Sequence, residues 1–285
     1  MSHFILTVTA QDRIGIVAAV TTWLAAHDGF IIESQQYADL DSGRFFMRIA
    51  FQPGGPAFPA LDQLRDGFNP IAERFDLQWE LVSTDERLRV MIAVSKGGHC
   101  LNDLLHRWRI GSLAIDIPLV VSNHADLAPL AGFHGIPFHH LPITGNDKTA
   151  QEARLLQLVD DHRIDLVVLA RYMQVLSDTA CRQLSGRCIN IHHSFLPSFK
   201  GARPYHQAHT RGVKLIGATA HYVTGDLDEG PIIEQMAERV DHGHSADAMA
   251  AMGRDLEAQV LARAVSWAAD RRILANGQRT IVFRP

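Results

Sequence analysis

The stretch Leu88-Arg-Val-Met-Ile-Ala-Val94, followed at once by Ser95-Lys-Gly-Gly98, decides how most of this 285-residue chain folds. A near-continuous apolar run of this length is typical of a strand buried on both faces, and the glycines predict a tight turn into a helix. Four further β-like runs follow, at residues 120–122, 138–141, 166–170 and 188–192. Helical patterns lie between them, and this alternation predicts a doubly wound, mostly parallel, Rossmann-like α/β sheet.

The residues before this series show a different order of elements. Short β-like runs at 3–9, 30–38, 44–51 and 77–82 alternate with helical patterns at 14–27 and 61–75. The order βαββαβ predicts a ferredoxin-like domain. A polar linker at 84–87 separates the two patterns, and a prior of about 150 residues per domain also favours two domains. We therefore predict one domain at residues 1–84 and a second domain at residues 85–285.

Composition excludes several classes of protein. Hydrophobic residues make up 47% of the chain and charged residues 20%, as in a globular protein with a sizeable core. The net charge is −4 and no cluster of lysine or arginine stands out, so we expect no nucleic-acid partner. No apolar run approaches the ~20 residues that span a bilayer, and no signal-peptide pattern opens the chain. We therefore expect a cytoplasmic protein without a membrane partner.

Polar side chains gather where two β-like runs end. Asn190 and His192 close one run, and the alternation of side chains along a strand places both on the same side. Asp228 lies on the loop that follows the next run. Since ligands of open α/β sheets bind beyond the carboxyl ends of the strands, these residues mark the candidate site. An amide, an imidazole and a carboxylate supply the oxyanion donors and the base that carbonyl hydrolysis requires.

Three motifs carry a resemblance to a known family. They are Asn190-Ile-His192 with Ser194-Phe-Leu-Pro197, then Gly217-Ala-Thr-Ala-His221, then Leu227-Asp228-Glu-Gly230-Pro231. In this order they resemble the signature of the formyltransferases that use formyltetrahydrofolate, and the resemblance covers residues 88–283. An asparagine, a histidine and an aspartate carry the chemistry of that family. The resemblance therefore implies that Asn190, His192 and Asp228 are catalytic.

Two details point to a branch of that family that hydrolyses its formyl donor. They are the additional N-terminal domain and the stretches His99-Cys100-Leu101 and Gly201-Ala-Arg203-Pro-Tyr-His206. The resemblance then implies hydrolysis of 10-formyltetrahydrofolate to formate and tetrahydrofolate, which supplies formate for purine synthesis and balances the one-carbon folate pool. Asn190 and His192 would stabilise the tetrahedral oxyanion, and Asp228 would activate water. A folate-dependent formyltransferase with an unidentified amine acceptor remains the alternative.

The resemblance also implies which residues contact the substrate. The loop after the strand at 166–170 would wrap the folate ring. The predicted substrate-binding residues are Arg171, Tyr172, Met173, Val175, Leu176, His99, Cys100, Arg203 and His221. The folate is the substrate itself, so we expect no separate cofactor.

The N-terminal pattern resembles a second family. Asp12-Arg13-Ile-Gly15-Ile16-Val17, at the first strand-to-helix turn, is similar to the ACT family of small-molecule-sensing domains. This resemblance implies an effector site at Asp12, Arg13, Gly15 and Ile16, with glycine or methionine as the natural candidates, and a homo-oligomer. A purely structural dimerisation module remains the alternative.

Other interpretations of the second half are weaker. The histidines of this half suggest a zinc hydrolase, and His206 and His209 share a helical face. The sequence contains no His-Glu-x-x-His motif, however, so we expect no metal. A catalytically inactive regulator is disfavoured because the Asn-His-Asp set is intact. His193 is more typical of a structural residue, and His221 is equally compatible with a core histidine. Cys100 is more typical of a small hydrophobic residue than of a nucleophile.

Overall fold

The structure is a computed structural model that describes residues 3–143, 148–193 and 204–285, with the side chain of Pro204 left out. Within this part of the chain, two compact units form. The first comprises the residues up to Arg87 together with Asp270–Leu274 and Ile281–Pro285, and the second comprises Leu88–Ala269 and Ala275–Thr280. None of the described helices is long and apolar enough to cross a membrane.

The first unit has the predicted ferredoxin-like order. Its elements are β1 Phe4–Gln11, α1 Ile16–Ala26, β2 Gly29–Asp39, β3 Arg44–Pro53, α2 Leu61–Phe75 and β4 Gln78–Ser83. They form an antiparallel sheet of order β2-β3-β1-β4. Leu6, Phe51, Trp23 and Phe68 belong to the core that the helices and the sheet share. The sequence predicted this unit because alternating apolar residues in the strands and helical spacing in α1 and α2 both face one core.

The C-terminal segment extends beyond the last helix of the chain. After α8 (Ala246–Ala269), a hairpin forms from β12 Ile273–Asn276 and β13 Arg279–Val282. Arg272 extends from this segment to Glu33 at 2.9 Å, and Arg48 bonds the same carboxylate at 2.7 Å. The residues at 270–274 and 281–285 thus group with the first unit, although the sequence placed all of 85–285 in the second domain. The boundary between two independently folding domains, placed between residues 84 and 85, stays a prediction.

The second unit is the predicted α/β sheet. Its elements are β5 Leu88–Val94, α3 His99–Arg109, β6 Ile115–Ser122, α4 Ala128–Phe133, β7 Phe138–His140, α5 Lys148–Asp161, β8 Leu166–Leu169, α6 Asp178–Gln183, β9 Cys188–His192, α7 Pro204–Arg211, β10 Leu215–Tyr222, β11 Ile232–Arg239 and α8. The strand order is β11-β10-β9-β8-β5-β6-β7. The pairs from β9 through β8, β5 and β6 to β7 are parallel, whereas β10 and β11 are antiparallel.

This topology brings the polar strand ends together. Because β5, β8 and β9 are parallel neighbours, the residues that follow them, among them Ser95, Arg171 and His193, meet at one edge of the sheet. Asn190 pairs with Leu169 on β8 and with His221 on β10. The fold therefore places the candidate site where β9 lies between a parallel and an antiparallel neighbour.

Candidate active site

A cavity of about 640 Å³ opens at this edge of the sheet. Its wall comes from the loop after β8, the end of β9 and the loop between β10 and β11. Asn190, His192, His221 and Asp228 all line it. The three residues that the sequence named as catalytic are therefore brought into one cavity, and His221 joins them.

Asp228 is the residue around which the polar groups converge. Its Oδ2 lies 3.1 Å from His192 Nδ1, and its Oδ1 lies 3.6 Å from His221 Nε2. Asn190 Nδ2 donates towards the same Oδ1 at 3.5 Å. Burial by itself raises the pKa of Asp228, but hydrogen bonds and positive charge from His192 and His221 outweigh it, so the pKa lies well below its ordinary value. Asp228 is therefore ionised at neutral pH.

The backbone of Asp228 is held in an unusual conformation. Its φ is 59°, in the left-handed region that aspartate and asparagine enter more readily than most residues. Gly230, two residues later, allows the loop to pass close to β10, since a Cβ there would lie 1.7 Å from the Tyr222 carbonyl oxygen. Asp226 and Glu229, the other acids of this loop, are exposed.

His193, which the sequence left as structural, stacks on His192. The two ring centroids are 4.6 Å apart with an interplanar angle of 22°. Arg171 Nη1 donates to His193 Nδ1 at 2.9 Å. Burial, and then the charges of Arg171 and His192, lower the pKa of His193 to about 4.

Arg171 has a left-handed backbone with φ 63°. Ser95 fixes the chain at and just after Arg171, since the Ser95 N–H donates to the Arg171 carbonyl at 3.2 Å and the Ser95 hydroxyl accepts from the Met173 N–H at 3.0 Å. The guanidinium Nε lies 3.4 Å from Glu257 Oε2. Non-glycine residues in this conformation cluster at functional sites, where the surroundings hold the strain.

Glu257, on α8, is a buried residue that the sequence analysis missed. Its side chain is 1% exposed, and it bonds His99 Nε2 at 2.7 Å and the Tyr205 hydroxyl at 2.9 Å. Although burial raises its pKa, His99 and Arg171 lower it by more, so it lies below its ordinary value. A glutamate inside the apolar stripe of α8 was the available signal, because a charge in such a position requires partners.

The predicted substrate contacts separate into two groups. Tyr172, Met173, Val175 and Leu176 line the cavity with apolar surface, and Arg171 and His221 line it as well. In the described part of the chain, His99 and Cys100 lie off the cavity wall and face Glu257 instead, so their contact with substrate stays a prediction. Arg203, like the predicted motif at 194–197, lies outside the described residues.

Cys100 does not have the surroundings of a nucleophile. It is fully buried, and burial, followed by the charge of Glu257, raises its pKa well above the ordinary value. A protonated thiol is a poor nucleophile.

One group of potential metal ligands occurs among the described residues. The ligand atoms of His99, Cys100 and Glu257 lie within 4.8 Å of one another. The Arg171 guanidinium beside Glu257 opposes a cation there. His206 and His209, the basis of the zinc interpretation, are both exposed on α7.

The predicted effector residues lie at the start of α1. Asp12, Arg13 and Gly15 are exposed, and Gly15 caps the helix with φ 100°. Ile16 is buried and belongs to the core of the first unit. The effector site at Asp12, Arg13, Gly15 and Ile16 stays a prediction.

The class of protein follows from the fold and the catalytic set. The family model described as formyl transferase matches residues 88–265, which contain the whole candidate site. The chain is thus a formyl transferase homologue in its second unit.

Full-length comparisons narrow the class. A formyltetrahydrofolate deformylase of Corynebacterium sp. (strain P-1) is 50% identical over 280 residues, covering 98% of each chain. One of Bacillus subtilis (strain 168) is 47% identical over 98% of this chain and 93% of its own. The crystal structure of formyltetrahydrofolate deformylase from Burkholderia mallei has a TM-score of 0.95 at 52% identity, covering 100% of both chains. This chain belongs to the formyltetrahydrofolate deformylase family.

Proposed function

We propose that this protein hydrolyses 10-formyltetrahydrofolate to formate and tetrahydrofolate. The observation that carries the proposal is the position of Asp228, whose carboxylate lies within 3.6 Å of His192, His221 and Asn190 at the end of a largely apolar cavity. Such a site can bind an extended aromatic substrate and present one carbonyl group to polar side chains. The proteins that this chain resembles over its full length are named for action on the same substrate.

Asn190 and His192 stabilise the charge that develops on the formyl oxygen. When water attacks the formyl carbon, the carbonyl oxygen becomes an oxyanion, and donors already aimed at it lower the barrier. Asn190 contributes a neutral N–H group and His192, when protonated, a charged one. Because β9 places both side chains on one side, they act on the same oxygen.

Asp228 and His192 act as one acid–base pair. Asp228 is ionised, so its carboxylate accepts one proton of the attacking water, while protonated His192, paired with the same carboxylate through Nδ1, keeps its own proton and donates to the oxyanion. The pair then delivers a proton to the leaving nitrogen as the bond between carbon and nitrogen breaks. The nitrogen of tetrahydrofolate thus gains one proton of the water, and the other leaves with formic acid, which releases it to solvent as formate.

The apolar wall binds the ring system of the folate. Met173 and Val175 expose 61% and 55% of their surfaces, and Leu227 faces the same cavity. Burial of such side chains against an aromatic ring contributes about 25 cal/mol per Å² of apolar surface. These contacts exist before and after the reaction, so they contribute to binding rather than to the chemical step.

No metal or other cofactor is assigned to this reaction, because side chains supply the charge. Dialysis against a strong chelator is expected to leave the rate of hydrolysis unchanged. Loss of activity that added zinc restores would contradict the assignment.

Incubation with 10-formyltetrahydrofolate alone tests the proposed function against the alternative of amine-dependent formyl transfer. Formate release without any amine is the expected result. A rate that stays at background until an amine is supplied would contradict hydrolysis and support amine-dependent formyl transfer.

We further propose that the turn at Asp12, Arg13 and Gly15 binds a small amino acid, glycine or methionine. Exposed N–H groups at the start of α1 attract a carboxylate, and Gly15 permits close approach. Regulation requires a coupling free energy of typically ~1–3 kcal/mol between this turn and the catalytic site. Calorimetric titration is expected to show binding of one of the two. An absence of heat and of any change in rate would support the structural alternative.

The proposal also includes a homo-oligomer in the cytoplasm. β2 is an edge strand that exposes Phe30 and Ile32, and exposed apolar edges favour pairing with a second copy. Light scattering at micromolar concentration is expected to give at least the mass of a dimer, and a monomer mass would contradict this.

A further inference from the structure

His193 is tied to two charged residues that the proposed mechanism does not use. Arg171 Nη1 donates to His193 Nδ1 at 2.9 Å. A guanidinium only donates, so Nδ1 must carry a lone pair, and the neutral ring carries its proton on Nε2. Arg171 thereby fixes both the tautomer and the charge state of His193.

Arg171 is itself held at its backbone and at its guanidinium. Ser95 bonds the Arg171 carbonyl and the Met173 N–H that follows, and the buried carboxylate of Glu257 lies 3.4 Å from Nε. Glu257 is in turn anchored by His99 and Tyr205. This arrangement fixes the guanidinium, so the position of His193 is fixed as well.

The charge of His193 matters because its ring lies flat against His192. With centroids 4.6 Å apart, two protonated rings would repel each other strongly in a half-buried site. The groups that face His193 are Arg171 from the loop after β8, His192 on β9, Asp228 from the β10–β11 loop, Glu257 on α8 and Tyr205 on α7. The pKa of about 4 means that His193 is neutral at physiological pH, so its ring adds no positive charge beside His192.

We propose that His193 is a positioning residue for His192: Arg171 holds it in the neutral form, and its ring keeps His192 in the plane in which Nδ1 meets Asp228. The inference rests on the proposed function, because His192 must belong to the acid–base pair. It adds a chain of contacts from Glu257 through Arg171 and His193 to the catalytic imidazole.

Replacement of the ring tests the stacking. His193→Ala removes the flat face, and it should lower kcat about 10–100-fold with KM changed less than about threefold, since misplacement of a catalytic group by about 1 Å can cost that much. His193→Phe keeps a flat, uncharged ring and should recover kcat to within about tenfold of the wild type. A kcat of His193→Ala within twofold of the wild type would overturn the proposal.

The acid side of the kcat profile tests the charge, which a purely structural role would not move. Arg171→Gln removes the positive charge that lowers the pKa of His193, so the loss of kcat on acidification should begin at a pH about one unit higher. Arg171→Lys keeps the positive charge, so the pH at which its kcat begins to fall should stay within about 0.3 unit of the wild type, whatever the size of kcat itself. The double variant Arg171→Gln/His193→Phe has no ionisable ring and should lose the shift. A shift that persists in the double variant, or that is absent from Arg171→Gln, would overturn the proposal.

One measurement uses the unaltered protein, so its result does not depend on whether a variant folds. Nitrogen-15 NMR of the histidines should show His193 neutral with its proton on Nε2 at pH 7, and an Nδ1–H tautomer or a protonated ring would overturn the inference.

Asp228→Asn separates the two proposals. If Asp228→Asn is inactive while His193→Ala is normal, only the role of His193 is wrong. A fully active Asp228→Asn contradicts the acid–base pair on which the inference rests, and the absence of formate release by the wild type contradicts the proposed function.

Discussion

Asn190 and His221 lie directly opposite each other on β9 and β10, with Asn190 Nδ2 3.2 Å from His221 Nε2. His221 Nδ1 lies 2.8 Å from the Tyr222 carbonyl oxygen, which can only accept, so Nδ1 carries a proton. His221 Nε2 therefore faces two partners, the Asn190 amide and Asp228 Oδ1 at 3.6 Å. His221 thus orients the amide that is proposed to bind the oxyanion.

Replacement of His221 should lower the rate through Asn190. His221→Leu leaves Asp228 Oδ1 as the only one of these two groups beside the Asn190 amide, and we expect kcat to fall about 10–100-fold (~1.4–2.7 kcal/mol) with KM within about threefold. Steady-state kinetics of the double variant His221→Leu/Asn190→Ala provide the check. Because the two residues act as a unit, its loss should equal that of Asn190→Ala alone, and losses that multiply would contradict the coupling.

Gly230 should be irreplaceable by alanine. A Cβ would lie 1.7 Å from the Tyr222 carbonyl oxygen, the group that His221 bonds, so Gly230→Ala must displace β10 or the loop that carries Asp228. We expect kcat to fall about 10²-fold. Gly225→Ala in the same loop is the matched control, since the nearest atom to its Cβ is 3.6 Å away. Equal kcat values for the two variants would show that the close approach does not position the site.

Glu257 should contribute to stability in a pH-dependent manner. Its pKa is lowered in the folded protein, so the stabilisation is fully present above the unfolded pKa of about 4.3 and is lost as the pH falls through the folded value. We expect Glu257→Gln to lower the free energy of unfolding by about 3 kcal/mol at pH 7, because it leaves Arg171 without its carboxylate. Denaturant titrations should show this difference shrinking below about pH 4.

Asp103→Asn is the control for Glu257. Asp103 pairs with Arg107 at 2.7 Å on the partly exposed face of α3, and the loss of such a pair is expected to be under about 1 kcal/mol. A difference for Glu257→Gln that widens on acidification, or that is no larger than this control, would contradict the assignment of a buried ionised carboxylate.

A charge on the apolar wall should weaken binding without slowing the chemistry. Val175→Asp places a carboxylate against the folate ring, and we expect KM to rise at least tenfold with kcat within about threefold, because the lost contact is equal in the ground state and the transition state. Ile110→Asp, at an equally apolar and exposed position away from the cavity, should leave KM unchanged. A fall in kcat with KM unchanged in Val175→Asp would place this wall outside the binding site.

Much of the site follows from local patterns. The period of two along β9 places Asn190 and His192 on one side, and the Gly-Pro pair after Asp228 indicates a loop that returns to the sheet. The strand ends that meet in the parallel sheet could likewise be predicted, because the sequence shows strands alternating with helices.

The rest depends on contacts between residues far apart in sequence. His99 and Glu257 are 158 positions apart, and helical periodicity shows only that Glu257 falls on the buried side of α8. The stacking of His193 on His192 follows from the bend after β9 and from Arg171. The alternation of side chains along a strand predicts neither of them. The C-terminal hairpin had a local signal, Asn276-Gly277, but its association with Glu33 could not be read from the sequence.

Asp228 has the largest part in the proposed reaction. Asp228→Asn keeps the shape and tolerates the left-handed backbone, so the fold should survive while the charge is lost. Asp226 and Glu229 flank it in the same loop and are both exposed, so Asp226→Asn and Glu229→Gln are matched controls.

The most direct test is the kcat for formate release from 10-formyltetrahydrofolate by these three variants. Asp228→Asn should lose more than the ~10²–10⁴-fold assigned to general acid–base catalysis, with KM little changed, because it both activates water and orients His192. Each control should lose less than about tenfold (~1.4 kcal/mol). A near-normal kcat for Asp228→Asn, together with a large loss in either control, would contradict the proposed mechanism.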